Sequence, residues 1–173
     1  MPTTWPAPGA VIAPQNVPED GIVRYDEGVF IGYRAYAKQG VKPLLPFGFG
    51  EGYTTWEYGD ATVAEPEVDE PEDIHGNPYE TLNSVTVPVT NTGDRPGKTV
   101  VQVYMDKLDS EIVRPQRWLV AYAPVYAEPG ETKQVTLDIP RRFIEYWNGQ
   151  DWEAEGGDYE IVIQNHFTPA TSS

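Results

Sequence analysis

Between residues 83 and 167 apolar, often β-branched residues recur at every second position, and that period leaves few folds open. Val85, Val87 and Val89 alternate with Thr86, Pro88 and Thr90, the rhythm of a strand with one face buried and one in water. Thr99 to Met105, Trp118 to Tyr126, the Val135-Leu137-Ile139 series and the Tyr159-Ile161-Ile163 series read as further strands. Turn chemistry separates them: Asn91 to Gly97, Glu128-Pro129-Gly130-Glu131, and the Gly156-Gly157 pair. With Tyr53 to Tyr58 added, about six or seven short strands at regular spacing predict an all-β protein, an antiparallel sandwich of the fibronectin III or immunoglobulin-like kind. Pro88 has no N–H to give a ladder, so the strand carrying it should lack a full set of partners there.

The preceding residues follow no such rhythm. Residues 1–58 are rich in proline, glycine and aromatic side chains, and predict an extended strap against another surface. The aromatic residues expected to make that contact are Trp5, Tyr25, Phe30, Tyr33, Phe47 and Phe49. Burying a large apolar side chain is worth about 1.5–3 kcal/mol, and a segment with no core of its own leaves that gain unused. The run from Gly28 to Tyr36 fits a helical turn or a strand equally well. Residues 59–83 gather Glu65, Glu67, Asp69, Glu70, Glu72 and Asp73 around Pro66 and Pro71, which predicts a solvated acidic linker or loop. The sandwich is then expected over 84–167, with a short tail at 168–173.

Twelve Lys and Arg against 27 Asp and Glu give a net charge of −15, which repels a phosphate backbone and argues against a nucleic-acid partner. No stretch approaches the roughly 20 apolar residues that a membrane span needs, and the N-terminal residues lack a basic-plus-apolar signal pattern, so neither a span nor a signal peptide is expected within this chain. A soluble protein is expected, from a cytoplasmic or secreted bacterial parent. The absence of cysteine removes disulfides, thiolate metal ligands and a cysteine nucleophile.

Weak motifs resolve to structural readings. Gly48-Phe49-Gly50-Glu51-Gly52 is glycine-rich, but it runs into Tyr53-Thr54-Thr55-Trp56, a strand pattern, where a phosphate loop would open a helix. Its glycines predict a tight backbone turn. His75 and His166 are far apart and fit no zinc pattern, and the acidic run lacks the ligand spacing of a calcium loop. No metal or other cofactor is expected. Glu145, Asp151 and Glu153 stand beside Tyr146, Trp147 and Trp152, a mixture that sugar sites use. A small sandwich must also bury large aromatics, so these acids read as solvated strand ends next to core side chains.

The motifs in order carry a resemblance. Pro2-Thr3-Thr4-Trp5-Pro6, then Glu27-Gly28-Val29-Phe30-Ile31-Gly32-Tyr33-Arg34, then Pro43-Leu44-Leu45-Pro46-Phe47-Gly48-Phe49-Gly50 and Tyr53-Thr54-Thr55-Trp56 resemble the end of the α/β sandwich domain of family 3 glycoside hydrolases of the β-glucosidase type. The stretch from Val89 to Gly97, followed by Val100-Val101-Gln102-Val103-Tyr104, Arg114-Pro115 and Glu128-Pro129-Gly130-Glu131-Thr132, resembles that family's fibronectin III-like domain. The resemblance implies the C-terminal structural portion of a retaining β-glucosidase, bracing the catalytic domains and bordering the substrate entrance. The family's nucleophile, in a Ser-Asp-Trp or similar motif, and its acid/base glutamate lie in upstream domains, so no catalytic residue is implied here. The chain alone is then expected to be inactive; its partners would be those catalytic domains, in the same or a separate chain, and a β-glucoside only through them. Two departures stand out: an acidic loop at 62–82, and Gln164-Asn165-His166-Phe167 where the family ends rich in Gly and Ser. An independent interaction or carbohydrate-binding sandwich is the other reading, and the long aromatic strap, useless to a free module, argues for the first.

Overall fold

The computed structural model describes Thr4, Pro18, residues 20–64 and residues 79–169. Trp5, the acidic run Glu65–Asp73 and His75 lie outside the described residues, as does much of the linker expected at 59–83.

Two antiparallel sheets face each other. In the first, β3 (Thr81–Asn91) is central; β6 (Thr132–Pro140) pairs along one side, and β1 (Trp56–Tyr58) and β2 (Thr62–Ala64) share the other. In the second, β4 (Gly97–Asp106) lies between β5 (Arg117–Ala127) and β9 (Glu160–Gln164). A separate hairpin of β7 (Glu145–Trp147) and β8 (Trp152–Ala154) stands off both sheets, after a 3₁₀ turn at Arg141–Phe143.

The alternation seen in the sequence lines the space between the sheets. Val85, Val87 and Val89 from β3 meet Val101, Val103 and Met105 from β4, with Leu137 and Ile139 from β6 and Trp118, Val120 and Val125 from β5. All eleven are buried, and each is worth roughly 1.5–3 kcal/mol against exposure. Trp118 closes one end: its indole N–H donates to the Phe143 carbonyl at 3.1 Å, and Tyr159 meets its ring at a near right angle.

Pro88 behaves as its chemistry requires. Its carbonyl accepts the Gly59 N–H at 2.9 Å, so its own nitrogen faces the same side, in the break between β1 and β2. No ladder donor is missed. A Cβ on Gly59 would lie 2.6 Å from the proline ring, so the close approach needs glycine there.

The sheet reaches further toward the N-terminus than 84. β3 begins at Thr81, and β1 and β2 place residues 56–64 inside the first sheet, in a span expected to close the strap and open the linker. The physical reason is that Trp56 and Tyr58 pack against the core while Glu57 between them points to water, which ties this stretch to β3. The undecided run before it resolves into a helix, α1 (Tyr33–Gln39), which buries Ala35 and Tyr36. Gly40 ends it in the left-handed conformation at φ 64. The Gly40 N–H bonds the Ala37 carbonyl and the Val41 N–H the Tyr36 carbonyl, the paired pattern that satisfies carbonyls left open at a helix end.

Candidate functional site: an aromatic strap seated on one sheet

From Val101 to Asp106 every residue of β4 is buried, on both faces. The core covers one face; the strap covers the other. Gln102, Tyr104 and Asp106 alternate as a water-facing set would, yet retain 4%, 0% and 2% of their exposure. Above them Tyr33, from the start of α1, packs between Phe47 and Phe167, with ring centroids 4.8 and 4.6 Å away, and meets Tyr104 edge-on at 6.4 Å.

Polar bonds fix this seat. The Tyr33 hydroxyl accepts the Leu119 N–H of β5 at 3.0 Å. The Phe167 N–H donates to the Phe47 carbonyl at 2.8 Å, so strap and chain exit run side by side. The Gln102 side chain donates to the Asn165 carbonyl and accepts from the Tyr104 hydroxyl. Burial raises the Tyr104 phenol well above its ordinary value, the nearby Tyr33 hydroxyl pushes the same way, and Arg117 opposes both. Arg117 forks onto both oxygens of Asp106 at 2.6 Å and donates a third bond to the Thr168 carbonyl. Such a planar, bidentate pair is the strongest arrangement open to these groups, and here it is buried.

Gly48 lets the strap lie this low. It has φ +82, and a Cβ there would come within 2.2 Å of the Gln102 amide. The glycine-rich loop thus makes the tight turn its glycines predict, with the Phe49 N–H on the Pro46 carbonyl at 3.1 Å, and adds a close backbone approach at Gly48. Asn91 ties the neighbouring corner: its side-chain amide donates to the Arg95 and Ala127 carbonyls, and its oxygen accepts from Thr54 and the Gly93 N–H.

The aromatics singled out in the strap divide into two groups. Tyr33 and Phe47 dock within the chain, so the strap shares a core with the sandwich, contrary to the expectation that it had none. Phe30 is half-buried beneath the Lys38 ammonium, 3.7 Å from its ring centroid. Tyr25 is 77% exposed and Phe49 44%, the latter with His166 edge-on at 6.0 Å. Ile22, Val23, Val29, Ile31, Leu44 and Leu45 are exposed beside them. Sequence reasoning missed Gln102, Tyr104, Asp106 and Arg117, because alternating polar residues signal a wet face.

No catalytic pair emerges from the acids weighed in the sequence. Glu145 sits between Arg141 and Arg142 at 3.3 and 3.4 Å. Glu153 accepts from the Tyr146 hydroxyl and the Asn148 amide, and the Asp151 carboxylate accepts from the Trp152 N–H. Among the described residues no three His, Asp or Glu side chains gather where a metal could bind, and no helix is long and apolar enough to cross a membrane.

Residues 99–166 match the fibronectin type III-like domain. Thermostable β-glucosidase B of Acetivibrio thermocellus is 38% identical over 147 residues, which make up 84% of this chain and 18% of that protein. The crystal structure of a β-glucosidase from Streptomyces venezuelae shares the fold with a TM-score of 0.79 at 30% identity, covering 95% of this chain and 20% of that one. The chain resembles a segment of the family 3 β-glucosidases. It corresponds to their fibronectin III-like structural portion and spans under a fifth of the length of these curated relatives. An exo-α-(1→6)-L-arabinopyranosidase of Bifidobacterium breve is 34% identical over 163 residues, 93% of this chain and 18% of that protein. Likeness in this β-glucosidase segment therefore does not fix a sugar. The domain match begins inside β4, whereas the longer alignments also take in strap residues, so strap and sandwich are similar as one unit.

Proposed function

We propose that this chain braces the catalytic domains of a retaining β-glycosidase and borders its substrate entrance, with hydrolysis of terminal β-glycosidic bonds carried out only together with those domains. The observation that carries this reading is the two-sided strap. Tyr33 and Phe47 hold it on the sandwich, while Tyr25, Phe49 and the aliphatic side chains around them face outward. Trp5 joins Tyr25, Phe30 and Phe49 in the same proposed interdomain contact. A segment that is anchored on one side and apolar on the other suits a wedge between domains better than a free surface. A retaining mechanism needs two carboxylates about 5–5.5 Å apart across the scissile bond, and the acids beside the hairpin tryptophans, Glu145, Asp151 and Glu153, are each bonded to neighbouring groups.

The test uses the Acetivibrio thermocellus enzyme with its matching segment replaced by this chain. The isolated chain should leave an aryl β-glucoside unhydrolysed, and the chimera should turn it over. Saturable turnover by the isolated chain, abolished by Glu145→Gln or Glu153→Gln, would sink the reading. So would a chimera no more active than the relative with its segment deleted.

A further inference from the structure

We propose that the hollow between the β7–β8 hairpin, the loop at residues 112–115 and the strap is a second docking face for the catalytic part of the parent enzyme, one that takes an apolar surface carrying carboxylates. The inference rests on the bracing function above and assigns it a surface beside the hairpin, built from residues other than the strap's aromatics.

The hairpin tryptophans make the case. A sandwich core was the expected place for Trp147 and Trp152, but they stand outside it, 54% and 45% exposed and edge to face at 5.7 Å. Val113, 80% exposed, and Val29, 42% exposed, line the same hollow of about 510 Å³. Exposed tryptophans flanked by exposed valines form an apolar surface that water does not favour.

The charge of the hollow runs against that of the chain. Its described lining carries Arg34, Arg114 and Arg142 but a single carboxylate, Glu145, in a chain of net charge −15. The Arg142 guanidinium lies over the Trp152 ring at 4.0 Å and that of Arg114 over Trp118 at 5.1 Å. A stacked guanidinium keeps its N–H edge for acceptors in its plane. Arg114 Nε and Arg142 Nη1 are buried and find no hydrogen-bond acceptor among the described residues, although Glu155 and Glu145 pair with them as charges at 3.1 and 3.4 Å. The Arg142 side chain as a whole stays 34% exposed, and carboxylates on the docked surface would meet that exposed part.

Other occupants fit less well. A sugar needs an open aromatic face ringed by hydrogen-bonding groups; Arg142 covers one face of Trp152, and Val29 and Val113 offer nothing to a hydroxyl. A second copy related by a two-fold axis would set the same cationic patch against itself. The rest of the enzyme has ample surface, since the match takes only 18% of the Acetivibrio protein, and Val29 and Arg34 make the hollow continuous with the seated strap.

The experiment compares Val113→Ser/Trp147→Ser/Trp152→Ser in two settings, the isolated chain and the Acetivibrio chimera. In the isolated chain these side chains are already exposed, and the midpoint of thermal unfolding should move by no more than about 2 °C. In the chimera the same change should lower the inactivation midpoint by more than about 5 °C, and Arg142→Glu should lower it as well. N-bromosuccinimide should oxidise Trp147 and Trp152 readily in the unsubstituted isolated chain and slowly in the chimera, a readout that needs no variant to fold. Equal shifts in both settings, or equal oxidation, would overturn the docking face while leaving the active chimera, and the bracing function, intact. An inactive unsubstituted chimera would take down both. Cellotriose quenching the tryptophan fluorescence of the isolated chain, with the effect lost in the triple variant, would replace the docking face by a sugar site.

Discussion

The two sheets turn opposite characters outward. On the first sheet the outer face is a lattice of short polar side chains: Thr86 bonds Thr136 at 2.9 Å, Thr90 bonds Thr132 at 2.8 Å, and Ser84 bonds Asp138 at 2.6 Å. Such cross-strand pairs cost little to leave in water. On the second sheet the equivalent positions Gln102, Tyr104 and Asp106 are sealed beneath the strap. Both faces read as polar in the sequence. Polarity along a strand therefore reports what the side chains can bond, and does not by itself report that water is what they bond.

Each face carries an aspartate, which gives the sharpest way to break the comparison. Asp106→Ala leaves the buried Arg117 guanidinium without its partner, and a broken buried pair costs about 3–5 kcal/mol. Asp138→Ala, on the exposed first sheet, should change urea-unfolding stability by less than about 1 kcal/mol. Similar losses at the two sites would erase the distinction.

A tyrosine pair makes the next contrast. Tyr33→Ala empties the seat between Phe47 and Phe167 and should cost roughly 2–3 kcal/mol, with faster trypsin cleavage after Lys38 as the strap lifts. Tyr122→Ala, on the uncovered half of the second sheet and 69% exposed, should be close to neutral in both measurements. If the strap's cleavage rate does not respond to Tyr33, the seat is not what holds it.

The smallest effect is alkaline. The Tyr104 phenol has its folded pKa raised by burial, so the folded state holds a proton that the unfolded state loses near the ordinary phenol value of about 10. Stability is then fully present below about pH 10 and declines above it, by about 1.4 kcal/mol per pH unit until the folded value is reached. Unfolding curves at pH 9 and pH 11 should differ by about that amount, and Tyr104→Phe should flatten the difference. A flat profile in the unsubstituted chain would mean that the strap admits water to the phenol.

What could be read in advance follows from how local the signal is. The valine alternation of β3 and the turns at Asn91–Gly97 and Glu128–Glu131 fix strands by their own chemistry, and the sandwich came out of them directly. Gly48 announced a tight approach, though not what it approached. The helix at Tyr33–Gln39 is too short for its period to show. The Asp106–Arg117 pair and the Tyr33 seat depend on residues from separate segments, and nothing along the chain marks them as neighbours. Trp147 and Trp152 were assigned to the core on size alone; their place on a hairpin outside it depends on where the sheets stop.

The contact between Phe47 and Phe167 has a consequence for the order in which the molecule can be made. The strap is synthesised well before its seat is complete, since that seat includes Tyr104 and is closed by Phe167, about 120 residues after Phe47. At roughly 5–20 residues per second, Tyr33 and Phe47 wait on the order of ten seconds for the seat that covers them on the sandwich. During that interval the nascent chain displays an aromatic segment in search of a partner, the condition under which chaperones engage and neighbouring chains mispair. Closing so long a loop is also slow. The strap should therefore be the last part of the described fold to gain protection in a pulsed hydrogen-exchange refolding experiment, after the valine strands have already paired.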